Sequence, residues 1–146
     1  MKLGWSKARR RRWWPYADHL GDYMERWILD LGPLGTIRLH HILRSDEARA
    51  LHDHPWDFWS FLLTGGYIEV TRHPLGHPGW IAERYRPRFS IVRRRAEDLH
   101  RLVLDEPVWT LVWSGPRRRE WGFMLPTGWI HWKDAQALWA GFEETE

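Results

Sequence analysis

The sequence predicts an all-β fold, a sandwich or barrel of about eight strands, and three observations lead there. Short runs rich in Val, Ile, Leu, Trp and Phe recur at regular spacing, many of them closed by Gly, Pro, Asp or Ser. Almost no segment carries the 3.6-residue apolar period of a helix. Gly65-Gly66 divides two such runs, as the turn of a tight hairpin does, and supplies the positive φ values such a turn demands.

In chain order, Lys7 to Trp14 is a basic arm with interleaved aromatics, set apart as residues 1–14 from a single domain over 15–146. Its Arg9–Arg12 run and its Trp rings suit phosphates and stacked bases, or else a solvated terminus. Pro15 to Met24 predicts a short helix started near Pro15, and Trp27 to Leu31 a first strand closed by Gly32-Pro33. Gly35 to Leu43 predicts a second strand, with Ile37, Leu39 and His41 on one face and Arg38, His40 and Ile42 on the other. His40 or His41 is therefore placed to line a pocket, or to serve as a hydrogen-bonded structural residue.

A polar loop, Arg44 to Arg49, leads into the stretch His52-Asp53-His54-Pro55, then the aromatic and aliphatic segment Trp56 to Leu63, the glycine turn, and the return arm Tyr67 to His73. The apolar run behind the histidines predicts a strand with little exposure to water. Ile81 to Tyr85 and Phe89 to Val92 are short strands around Pro87, and Arg93-Arg94-Arg95 reads as a solvated corner or a charge-blunted edge. Leu99 to Leu104 alternates, placing His100 with Leu102 and Leu104. Pro107 to Trp113 and Trp121 to Leu125 are the remaining strands, and after the turn Pro126-Thr127-Gly128 a helix from Ala135 to Phe142 follows, capped by Asp134.

Composition narrows the function classes. One domain of 146 residues is long enough for a hydrophobic core. No run of about 18 apolar residues is present, so no membrane span is expected. The first residues, Met1-Lys2-Leu3-Gly4-Trp5, lack the apolar core of a secretory signal. Zero cysteines exclude disulfides and thiolate metal sites and fit a reducing, cytoplasmic setting. Thirteen tryptophans suggest a tightly filled barrel or a stacking surface. A net charge of +3 is too mild to indicate nucleic acid, leaving only Arg9–Arg12 in favour of that partner.

On one strand, His52 and His54 project from the same side and can chelate one metal ion; imidazole suits zinc, iron, copper or nickel. His100, on the apolar face of its own strand, is a candidate third ligand. Three neutral ligands leave the metal its full charge and open positions for water, substrate or dioxygen. The alternative is that the imidazoles hydrogen-bond within a polar interior. Arg38, Arg72, Arg101 and Arg117–Arg119 are candidates to grip a carboxylate at the barrel mouth.

Over residues 35 to 125 the sequence resembles the cupin superfamily, the double-stranded β-helix or jelly roll. Its first motif is His-x-His, three or four residues, Glu, six residues, Gly. His52 and His54 fill the histidine slots and Gly65 or Gly66 the glycine slot, while the glutamate slot falls on Phe58 or Trp59. Of its second motif only His100 matches, with Arg95-Ala96-Glu97 where the family has Pro-x-Gly and Leu104 where it has Asn. The resemblance implies a jelly-roll barrel with short terminal helices and a metal at His52, His54 and His100. Such glutamate-free three-histidine sites are similar to those of the thiol dioxygenases, which use ferrous iron; Zn, Ni or Mn are the alternatives. Glu69 and Asp57 are possible additional ligands, and His40 and Arg38 possible pocket residues. The implied activity is a dioxygenase-like oxidation of a small anionic molecule, with a homodimer as the assembly. A metal-independent sugar-nucleotide epimerase, or a binding module using the Arg/Trp-rich surface, are the competing expectations.

Overall fold

The structure is a computed structural model that describes residues 16–20, 22–46, 50–77 and 79–143. The arm over 1–14, with Arg9–Arg12, lies outside the described residues, as do Pro15 and residues 47–49 of the polar loop. The strands are β1 (Tyr16–Leu20), β2 (Met24–Asp30), β3 (Thr36–Ile42), β4 (Leu51–His52), β5 (Phe58–Thr64) and β6 (Tyr67–Arg72). They continue as β7 (Ile81–Arg86), β8 (Ile91–Arg94), β9 (His100–Val103), β10 (Val108–Ser114), β11 (Gly122–Leu125) and β12 (Gly128–His131), and helix α1 (Trp132–Glu143) follows.

These strands form two antiparallel six-stranded sheets, ordered β1-β2-β3-β10-β5-β8 and β12-β11-β4-β9-β6-β7. The fold is an all-β jelly roll. Met24, Ile42, Leu62 and Val108 of the first sheet bury themselves against Tyr67 of the second, with Leu102 and Leu104 packed alongside. Met24, Ile42, Tyr67 and Leu102 of this contact also line a cavity of about 1570 Å³ between the sheets.

Period-two burial is clearest on β10, where Val108, Thr110, Val112 and Ser114 are buried while Leu111 and Trp113 are exposed. On β5, likewise, Phe58, Ser60 and Leu62 point inward and Trp59 outward, so this strand is half-exposed and not shielded on both faces as the apolar run suggested. The alternation answers the tryptophan question for the first sheet. Trp27 and Trp109 stack at 5.5 Å, and His41 stacks on Trp109 at 4.2 Å, on the outer surface. Trp56, Trp121, Trp132 and Trp139 instead line the cavity.

Three expectations are corrected. The segment expected as a helix over Pro15–Met24 contains β1, paired residue for residue with β2 from Tyr16 opposite Ile28 to Leu20 opposite Met24. Ladder pairing outweighs a weak helix propensity that no apolar stripe supports. Trp121–Leu125 is not the last strand, because β12 returns along β11 from Gly128 opposite Leu125. Helix α1 then starts at Trp132, three residues before Ala135, and Asp134 sits inside its first turn rather than at its cap. His131 provides that end with an acceptor, its Nδ1 taking the Lys133 N–H at 3.2 Å.

The glycine turn divides its labour. Gly65 has φ of 71°, where a side chain is strained. Gly66 does not; a Cβ there would meet the Tyr85 hydroxyl at 2.3 Å, so the exposed Tyr85 ring would have to move aside.

Candidate metal centre

The histidines do not share one strand. β4 ends at His52, and His54 follows outside it, immediately before Pro55. Cross-strand pairing does what strand parity was expected to do. His52 stands opposite His100 of β9 on one side and Phe123 of β11 on the other. His54 is held by its backbone, its N–H donating to Ala96 O at 2.9 Å. The three ring centroids lie 5.1, 5.0 and 5.0 Å apart, a nearly equilateral triangle. One ring nitrogen from each lies within 4.8 Å of the others.

Asp53, between the two histidines, points away from them and is almost wholly buried. Its carboxylate accepts from Gly122 N at 2.7 Å, Trp129 Nε1 at 2.9 Å and Arg119 Nη1 at 2.6 Å. The middle residue of His-x-His thus pins the ligand loop to the β11–β12 hairpin. Sequence reasoning missed it, because its partners lie more than 60 positions away in the chain.

Glu69, expected as a possible ligand, faces the cluster from β6 at 1% exposure. Its Oε1 lies 2.9 Å from His100 Nδ1, and its carboxylate also accepts from Arg86 Nε and Arg94 Nε, each at 2.9 Å. Burial alone would push its pKa up, but the bonds from His100 and Arg94 outweigh burial and hold it well below the usual carboxylate range. An ionised Glu69 accepts the His100 Nδ1–H and so turns His100 Nε2 toward the cluster. Arg94, read from sequence as part of a solvated corner, is turned inward to this carboxylate. A carboxylate on the inward face of a strand requires cations nearby, and that was the available signal.

Burial dominates the other two rings. The His52 pKa is lowered to about 4 by desolvation, with Asp46 partly opposing it. That of His54 is lowered well below its usual value, again by desolvation first and then by its neighbours. Both rings are therefore neutral near pH 7. His54 Nε2 approaches His100 Nε2 at 2.8 Å. Phe58, in the slot where the family motif has glutamate, meets His54 edge-on at 4.7 Å.

The remaining candidates separate clearly. Asp57 lies outside the cluster and binds Arg118 at 2.7 Å and the Ala96 N–H at 2.8 Å. Arg118 also takes Glu97, and Arg119 takes Asp53, so that pair of arginines serves local ion pairs. His40, Arg38, Arg72 and Arg117 line the cavity; Arg101 does not.

No family profile and no curated protein matches the sequence. Solved structures do resemble the fold. Hydroxypropylphosphonic acid epoxidase from S. wedmorenis superposes with a TM-score of 0.55 at 12% identity, covering 68% of this chain and 55% of its own. The capsular polysaccharide assembling protein CapF from Staphylococcus aureus gives 0.55 at 13% identity, over 72% of this chain and 30% of that one. A variant of Bacillus subtilis oxalate decarboxylase gives 0.55 at 11% identity, over 70% and 28%. The chain thus spans about half the length of the epoxidase and under a third of the other two. All three are cupin-fold proteins, and the two facing six-stranded sheets of this chain, closing on three histidines, have the cupin fold.

Proposed function

We propose that His52, His54 and His100 hold a divalent metal ion, and that the protein is a non-haem iron oxygenase of a small anionic molecule. One observation carries the reading: three imidazole nitrogens within 4.8 Å of one another, facing the interior of a cupin-fold barrel. The donors fit such an ion. Desolvation keeps His52 and His54 neutral, and the Glu69 bond orients His100 so that its Nε2 points into the cluster. A metal held there supplies a Lewis-acidic centre with positions left open for substrate and dioxygen.

The chain's own residues do the rest. Glu69, braced by Arg86 and Arg94, orients His100. Asp53 fixes the loop that carries His54. Phe58, Trp121 and Phe123 pack around the rings and limit water. Support for iron comes from the epoxidase, one solved form of which is described as the Fe(II) protein. Zn, Ni and Mn are ions that the same three donors accept.

Elemental analysis of protein purified without added metal tests this directly. Near-stoichiometric metal that is lost in His52→Ala, with the fold retained, is the expected result. Metal content unchanged by His52→Ala, or none bound after incubation with Fe(II) or Zn, removes the reading. The buried His100–Glu69 pair then favours the second one, a metal-independent epimerase in which a His–carboxylate pair acts as general base.

A second copy of the chain is the partner we propose for the outer face of the first sheet. There Trp27 of β2, Leu111 and Trp113 of β10 and Trp59 of β5 are 36–46% exposed, and β3, with Ile37 also exposed, lies between β2 and β10. A contiguous apolar patch of this kind marks an interaction surface.

A further inference from the structure

The cavity wall formed by β2 and β3 gathers basic side chains. Elsewhere Trp56, Phe58, Trp121, Phe123 and Trp139 contribute aromatic rings, and Asp46, Glu69, Arg72 and Arg117 are the other charged lining residues. On the inward face of β2 and β3, however, stand Arg26, Arg38 and His40. The register brings them together: Arg26 pairs with His40 directly, and Arg38 lies two residues along the same face of β3. The Arg38 guanidinium carbon sits 4.0 Å from the centre of the Trp56 ring, and its Nε donates to Thr36 Oγ1 at 3.0 Å. These contacts set the plane of the guanidinium.

His40 supplies the second, independent observation. Its Nε2 is buried and has no hydrogen-bond partner. Leaving a buried polar atom unsatisfied costs roughly 1–3 kcal/mol, so His40, a lining residue of the cavity, gains if its ring turns that nitrogen toward a ligand group. Ser114 Oγ, on the neighbouring inward face of β10, is orphaned in the same way. Burial and the two arginines hold the His40 ring neutral, so one of its nitrogens carries a proton to donate. The wall also lies close enough to the histidine cluster for the charge of Arg38 to be felt at His54.

We infer that Arg26, Arg38 and His40 form the seat of an oxyanion head group, and that the ligand is amphipathic: a carboxylate whose aliphatic or aromatic body lies along the aromatic lining. This rests on the cavity being the substrate site of the proposed enzyme, and it names the class of that substrate. Arg26 and Arg38 keep other partners, so the anion shares them instead of meeting bare charges. A guanidinium stacked on Trp56 is suited to that role, since its edge stays available while its face is covered. The cavity volume, several times that of acetate, calls for a body as well as a head.

Titration calorimetry on metal-free protein, using acetate, hexanoate, decanoate, 4-phenylbutyrate and the matching alcohols, tests the inference. Affinity is expected to rise with chain length, by roughly two- to fourfold per methylene. Each long acid should bind at least about tenfold tighter than its alcohol, and Arg38→Gln should erase that difference. Arg38→Lys, which keeps the charge, should restore part of it, and Arg26→Gln provides a second variant if Arg38→Gln does not fold. Acids that bind no better than alcohols, or no binding by any long acid, would overturn the assignment. Metal content measured on the same samples separates the two proposals. A protein that binds the acids but no metal refutes the metal centre alone, and one that holds metal but ignores the carboxylate refutes the head-group seat alone.

Discussion

The two faces of the first sheet are built from the same strands and have opposite contents. Inward, β5 and β10 present Phe58 and Leu62 but otherwise Ser60, Val108, Thr110, Val112 and Ser114, smaller side chains that leave room. Outward, the same strands present Trp59, Phe61, Trp109, Leu111 and Trp113. Most of the bulk has been placed where it cannot fill the barrel. The adjacent pair His40 and His41 repeats the contrast at one step of the chain: His40 faces the cavity with an orphaned nitrogen, and His41 stacks on Trp109 and binds Glu25 at 3.2 Å. The lesson is that a high aromatic content does not by itself mean a filled core. The period of two assigns each ring to a face, and only the faces together show that a cavity has been kept.

That contrast can be broken most forcefully from inside. Leu62 is 1% exposed in the core contact between the two sheets. Leu62→Ala is expected to lower unfolding stability by about 2–5 kcal/mol in denaturant titration. A change below about 1 kcal/mol would mean that the two sheets are not packed on each other there.

Acid should act on the inner face next. The His52 and His40 pKa values are lowered, mainly by burial, to about 4 and about 3 from 6.5. Above pH 6.5 both folded and unfolded chains hold these rings neutral, and they contribute no pH dependence. Below it the unfolded chain takes up protons that the folded chain refuses, so stability falls as pH drops. Each group adds a slope of at most about 1.4 kcal/mol per pH unit, flattening near its folded pKa. Thermal melts of metal-free protein between pH 7.5 and 4.5 should show this loss. His40→Phe should soften it.

The outer face should respond weakly in stability and strongly in assembly. Trp113→Ser with Leu111→Ser is expected to shift monomer stability by about 0.5 kcal/mol per site. Sedimentation should move from dimer to monomer; a wild-type chain that sediments as a monomer at high concentration would remove the interface. Smallest of all is Arg93→Ala. The Arg93 guanidinium lies 5.5 Å from the Trp59 ring on the surface, and its removal should change stability by about 0.5 kcal/mol or less.

Much of the fold was legible, because turn residues and alternation are local signals. The strands around Ile37, Phe61, Leu102 and Leu111 stand close to where the pattern put them. The convergence of His52, His54 and His100 was legible for a related reason, although cross-strand pairing and not a shared strand produces it. What escaped was long-range. β1 was read as helix because its five residues acquire their identity only by pairing with β2. Glu69, Arg86, Arg94 and His100 form one buried network from four strands, and nothing in the local spacing reports it. Asp53 escaped for the same reason.

The three bonds of Asp53 carry a consequence for how the protein opens. They tie the segment between β4 and β5 to the β11–β12 hairpin, so His54 cannot swing out while Gly122, Trp129 and Arg119 stay in place. Breathing of the ligand loop and detachment of the C-terminal hairpin become one cooperative event. The Gly122 amide, buried and donating to Asp53, is then a natural reporter of it. Its hydrogen–deuterium exchange should slow when the histidine cluster is loaded, in step with the rate at which a chelator strips the site, even though Gly122 offers no side chain to that site.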